Sequence, residues 1–140
     1  MNDIVDGLGP AAAFGALGVV LLLLGAGLID LLTPGRLSHQ IWVDRNRNAA
    51  VLLSSALLGV GGIVFTSIWT TYADFGKGLT STACFGLLGL VLMAVAFWLV
   101  DLLTPGRLGS ILVDPEPHPA VWVTASFNVS IAAIVAASIS

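Results

Sequence analysis

The sequence predicts an all-α integral membrane protein, built as four transmembrane helices in two parallel-repeat hairpins, and three observations predict it. Of the 140 residues, 57% are hydrophobic and 9% charged, with a mean hydropathy of +1.01. Soluble domains carry roughly 25% charged residues. Four apolar stretches reach the ~20 residues that one helix needs to cross a bilayer. Finally, the eight residues DLLTPGRL occur twice, from Asp30 to Leu37 and from Asp101 to Leu108, and each copy closes an apolar run.

The spans are expected at about Ala11 to Leu32, Ala49 to Thr70, Leu79 to Leu103 and Pro119 to Ile139. Within them only Asp30 and Asp101 are charged, each near a helix end. Hydrocarbon offers the backbone no hydrogen bonds, and runs without period-2 alternation are not barrel strands, so each span must be helical. The leader MNDIVDG carries two aspartates and no basic residue. A secretory n-region is positively charged, so the first span is expected to be retained.

Each repeated block is expected to stop a helix and turn the chain sideways. Thr33 precedes Pro34, which disfavours the α region, and Gly35 follows, so the first helix should end near Leu32. Thr33 could then cap a short interfacial helix that begins at Pro34, with Leu37 and Ile41 on one face. Asn46 or Asn48 should cap the second span. In the second copy, DPEPHP predicts a stiff, extended connector that ends at Pro119 in the first turn of the fourth span.

Internal duplication organises the chain as one transmembrane domain over residues 1–140, with repeats at about 11–70 and 82–140. Between Phe14–Leu37 and Phe85–Leu108, 15 of 24 positions are identical at an offset of 85 − 14 = 71. One deletion then shifts the offset to 70, pairing Asp44 with Asp114 and Ala50 with Ala120. Units of two helices keep their direction through the membrane, so a pseudo-two-fold axis along the membrane normal is expected.

Basic residues predict the orientation, because Lys and Arg near span ends are retained on the cytoplasmic side. Arg36, Arg45, Arg47 and Arg107 lie in the loops after spans one and three, against Lys77 alone in the turn after span two. The expectation is a multi-pass protein of the bacterial cytoplasmic (inner) membrane with both termini outside. Trp69 and Tyr72 would mark the outer interface, and Trp42, Trp98 and Trp122 the inner one.

Asp30 and Asp101 lie where the negative end of a helix dipole disfavours a carboxylate, so each needs a cation. Arg36 and Arg107 are the candidates. An ion or proton relay is the functional alternative, and the aspartates' position within about a turn of the interface argues against it, since transporters place their sites at the midplane. Small residues predict close helix contacts at Gly15 and Gly18 in span one, Gly59 and Gly62 in span two, and Gly86 and Gly89 in span three. Span four is the most polar. Thr124 can bond back to its own helix, whereas Asn128 must reach a partner helix, a neighbouring subunit or water.

No catalytic constellation is legible. His39, His118 and Cys84 lack the spacing of a zinc site, and neither GxGxxG nor a P-loop is present. His39 near Asp44 reads as a solvated interfacial histidine. Neither metal nor cofactor is expected, and the net charge of −3 suggests no nucleic-acid partner. A single cysteine allows no internal disulfide.

The block GLIDLLTPGRL, followed by IWVDRNRNAAVLLSSALLGVGGIV, resembles the bacterial inner-membrane family known as domain of unknown function 350, whose members repeat a two-helix unit. The resemblance spans nearly the whole chain, although the second copy reads DPEPHPAV where the first reads DRNRNAAV. It implies a small polytopic membrane protein and supplies no reaction or ligand. The motif residues it marks are Asp30, Thr33, Pro34, Gly35, Arg36, Asn46, Asn48 and Ala49, with Asp101, Thr104, Pro105, Gly106 and Arg107 in the second copy.

Two functional classes follow. One is a non-enzymatic, oligomeric assembly or anchoring subunit whose loop, comprising Trp42, Asp44, Arg45, Asn46, Arg47 and Asn48, docks a soluble cytoplasmic protein or anionic lipid headgroups. The other is an ion or small-solute channel or transporter formed by an oligomer, with Asn128 and the carboxylates along its path. The first is preferred, because a four-helix subunit has little internal room. Partners are therefore the lipid bilayer, further copies of the chain and a candidate soluble protein.

Overall fold

The computed structural model describes residues 1–33, 37–103 and 116–140. Within them the chain forms α1 (Asn2–Leu32), α2 (Leu37–Trp42), α3 (Arg47–Thr71), α4 (Phe75–Leu103) and α5 (Pro119–Ile139), with no strand. Four of these, all but α2, are long and apolar enough to cross a membrane.

Three of the long helices begin or end close to the expected residues, and the exception is the start of α1. This helix begins at Asn2 rather than near Ala11 and runs through Pro10. Proline removes one intrahelical bond but leaves the preceding turn in place, and Asp3 lies favourably at the positive end of the helix dipole. At 1.5 Å per residue a helix of 31 residues is about 46 Å long. A hydrocarbon core of about 30 Å leaves several of its turns outside.

Thr33 terminates α1 in extended geometry, φ −99° and ψ 133°, its N–H donating to the Ile29 carbonyl. The expected cap on a short helix beginning at Pro34 falls on residues 34–36, outside the described residues, and the described part of that helix is Leu37–Trp42. The Thr33 side-chain hydroxyl is buried with no hydrogen-bond partner among the described residues. At the other helix starts the caps are as simple as the sequence suggests. The Asn46 side chain accepts from the Ala49 N–H at the start of α3. Asp74 accepts from the Lys77 N–H at the start of α4. The His118 ring accepts from the Ala120 N–H, with Pro119 in the first turn of α5.

Helix α3 packs against every other helix, most extensively along α5 and then along α4, whereas α1 and α5 scarcely meet. This corrects the expected two-fold symmetry. Exchange of the repeats would map the α3–α4 contact onto an α5–α1 contact, and only the first is substantial. The bundle is centred on α3 and α4, with α1 and α5 at its flanks. Leu52, Val60 and Ile63 of α3, Met93 and Phe97 of α4, Leu21 and Ile29 of α1, and Val121 and Val135 of α5 form its core.

Large side chains fill hollows over glycine where helices approach closely. A Cβ built on Gly86 would lie 2.6 Å from Leu21 Cδ1, and one on Gly78 would lie 2.7 Å from Phe14 Cζ. The Phe14 ring also meets Phe75 edge-on, with centroids 5.7 Å apart. On Gly89 a Cβ would meet Ile63 Cδ1 at 2.5 Å, and Gly18 lies against Val64. Gly59 lies where three helices meet: its Cβ would approach Met93 Cε, Ala132 Cβ and the Asn128 carbonyl at 2.7, 3.0 and 3.3 Å. Gly15 and Gly62, expected as contacts, instead face open space outside the bundle.

Candidate functional site

The polar loop between α2 and α3 is held by two asparagines that face inward. Val43 and Asp44 donate backbone N–H bonds to the His39 carbonyl, and Asn46 donates to the Gln40 carbonyl. Between them Arg45 adopts a left-handed backbone, φ 52°, which is unfavourable for a residue with a Cβ. Closure of the turn depends on it. Asn46 is then buried as the cap of α3.

Asn48, one turn further on, joins the two repeats. Its side-chain amide donates to the Glu116 carbonyl at 2.7 Å, and its oxygen accepts from the His118 N–H at 3.3 Å. With the offset of 70, Asn48 corresponds to His118 itself. Where the connectors diverge in sequence, one copy therefore supplies the side chain that satisfies the backbone of the other. An unpaired backbone group near the membrane would be costly. The side chain is 3% exposed.

Four other residues of the loop, Trp42, Asp44, Arg45 and Arg47, point outward. Trp42 is 81% exposed. Asp44 pairs with His39 across 3.3 Å, an exposed contact of small energetic worth. The candidate loop thus divides into two groups. Asn46 and Asn48 are internal fasteners, and only the outward residues form a surface.

Two polar joints lie deeper. Asn128 on α5 donates its amide to Ser55 Oγ on α3 at 3.0 Å, and Ser55 in turn donates to the Leu52 carbonyl at 2.7 Å. Counting along α5, 128 − 119 = 9 residues, or about 14 Å, separate Asn128 from the helix start. That depth is near the middle of a hydrocarbon core of about 30 Å. Thr124 lies buried beside it and bonds back to the Ala120 carbonyl at 2.9 Å. Toward the opposite end, Thr82 donates to Ser67 at 2.9 Å and Ser67 to Ser81 at 3.1 Å, joining α3 to α4. Sequence reasoning missed this second chain of hydroxyls. Their spacing across a three-residue turn, four or more residues from it on each side, was the available signal.

Asp30 is exposed and Asp101 half-buried at the ends of α1 and α4. The expected partners Arg36 and Arg107 lie outside the described residues, as do Pro34, Gly35, Thr104, Pro105 and Gly106. Among the described residues no three His, Cys, Asp or Glu side chains gather as metal ligands would. Aromatic side chains stand exposed at both ends of the bundle, Trp69 and Tyr72 at one, Trp42, Trp98 and Trp122 at the other.

A family model described as Domain of Unknown Function (DUF350) matches residues 3–139. The chain is 31% identical over 140 residues to a UPF0719 transmembrane protein of Mycolicibacterium paratuberculosis, covering all of this chain and 93% of the relative. Transmembrane proteins of the same UPF0719 group from Mycobacterium bovis and Mycobacterium tuberculosis are each 29% identical over 140 residues, with 92% of the relative covered. No solved structure matches. The chain belongs to the DUF350 family of bacterial transmembrane proteins, for which no specific activity is established.

Proposed function

We propose that this member of the family is a non-enzymatic, self-associating anchoring subunit of the bacterial inner membrane, with its termini outside and the loop before α3 holding a soluble cytoplasmic protein. The observation that carries this reading is the division within that loop. Asn46 and Asn48 are spent on internal bonds, which fixes the backbone, while Trp42 and Arg45 project from it. Binding surfaces of this kind combine an aromatic and an arginine on a rigid support. Arg45 and Arg47 at this end against Lys77 at the other support its cytoplasmic placement. The open backbone at Gly15 and Gly62 suits close approach by a second copy.

Permeation gains no support from Asn128, because its amide is buried against Ser55 within one subunit. The test uses the full chain purified from membranes of its own host. A soluble protein should copurify in fixed ratio and be lost on Arg45→Glu or Trp42→Ala, with thermal stability of the variants unchanged. In liposomes the wild-type protein should add no ion flux. Reproducible flux abolished by Asn128→Leu, with no loop-dependent partner, would overturn the proposal.

A further inference from the structure

A groove of about 670 Å³ runs along the outer face of the α3–α5 seam. Arg47 and Trp122 stand at its mouth, Ser54 and Ser126 on its walls, and Leu58 and Val129 at its inner end. Its volume is that of a site for a small molecule. Along α3 it covers 58 − 47 = 11 residues, or about 16 Å. Half of a hydrocarbon core of about 30 Å is nearly the same depth, so the groove extends through one leaflet.

We propose that this groove holds one anionic phospholipid, its phosphate on the Arg47 guanidinium and one acyl chain lying inward to Leu58 and Val129. Among the described residues that line it, Arg47 alone is charged, and no carboxylate competes for it there. A guanidinium at the headgroup level matches a phosphate with two parallel hydrogen bonds. Trp122, 63% exposed, lies at the same level, where indole rings prefer to sit. The Ser126 hydroxyl is satisfied by the Trp122 carbonyl at 2.8 Å, so it does not present an unmade bond to a hydrocarbon chain. The placement of charge favours a lipid over a helix of a second copy, because the charged lining residue lies at the Arg47 end of the seam, at the headgroup level. Beyond Leu58 and Val129 the next hollow has about half the volume, 350 Å³, and no charged lining residue among those described. This inference concerns a different face from Trp42 and Arg45 and is independent of any soluble partner.

The experiment uses a variant with Trp122 as the only indole (Trp42→Phe, Trp69→Phe, Trp98→Phe), reconstituted into phosphatidylcholine vesicles. Brominated phosphatidylglycerol or brominated phosphatidylcholine is added as quencher. Trp122 emission should fall by half at a phosphatidylglycerol fraction about fivefold lower than for phosphatidylcholine, the preference expected of one basic side chain at an anionic headgroup. Arg47→Gln should abolish the difference, and Arg45→Gln should retain it. Equal quenching by the two lipids, or a preference that survives Arg47→Gln, would overturn the proposal. Trp122 shielded from both lipids would also overturn it, in favour of a second copy in the groove.

Discussion

Helices α1 and α4 descend from the same repeat and end in the same eight residues, yet they bury different surfaces. On α4 the face through Thr82, Gly86, Gly89, Met93 and Ala96 is buried. The equivalent positions on α1 are Ala11, Gly15, Gly18, Leu22 and Gly25, and of these only Gly18 and Gly25 are buried. Helix α1 instead turns Phe14 and Leu21 inward, onto Gly78 and Gly86 of α4. One copy supplies bulk and the other supplies the hollow. Duplicated sequence therefore supports an asymmetric bundle, because α4 is surrounded by three helices while α1 touches α3 and α4 but scarcely α5.

Substitutions can break this comparison. The largest effect is expected at Gly59, where α3, α4 and α5 meet. Gly59→Leu would drive a side chain into Ala132 and the Asn128 backbone, neither of which is a flexible chain end. A loss of about 3 kcal/mol is expected, at the upper end for overpacked sites, read as thermal unfolding in detergent. Unchanged stability would mean that α3 and α5 are not in close contact there.

Next is the fastener between the copies. Asn48→Ala leaves the Glu116 carbonyl and the His118 N–H to find water, at an expected cost of about 1–2 kcal/mol. Hydrogen exchange at the start of α5 should rise with it, and protection equal to the wild type would remove Asn48 from this role. A smaller effect is expected in the membrane interior. A double-mutant cycle of Ser55→Ala and Asn128→Leu should give a coupling of about 0.6 kcal/mol, the average for hydrogen bonds between membrane helices. A coupling of zero would separate the two side chains.

What the sequence made legible were the spans and their ends. Length and apolarity mark a membrane helix, Thr33–Pro34–Gly35 marks a stop, and an asparagine before an apolar run marks a cap. The face each helix buries was not legible. Lipid and protein interior are equally apolar, so the hydrophobic pattern that reveals the core of a soluble helix carries no such information here. Glycine narrows the choice without settling it, as the exposed Gly15 and Gly62 and the buried Gly59 and Gly86 show. Asn48 was hidden for another reason. Its partners are backbone groups 68 and 70 residues away, and a backbone carbonyl or N–H has no residue identity to read.

Asymmetry between equivalent positions is tested most directly by one matched pair. Gly15 and Gly86 occupy the same place in the two repeats, at the offset of 71, and the same change, glycine to leucine, is made at each. Thermal unfolding of both variants as monomers in one detergent should show a loss of about 2 kcal/mol for Gly86→Leu, which displaces Leu21, and a change within about 0.5 kcal/mol for Gly15→Leu, which faces open space within one copy. Equal destabilisation by the two variants would contradict the asymmetric bundle and restore a symmetric one.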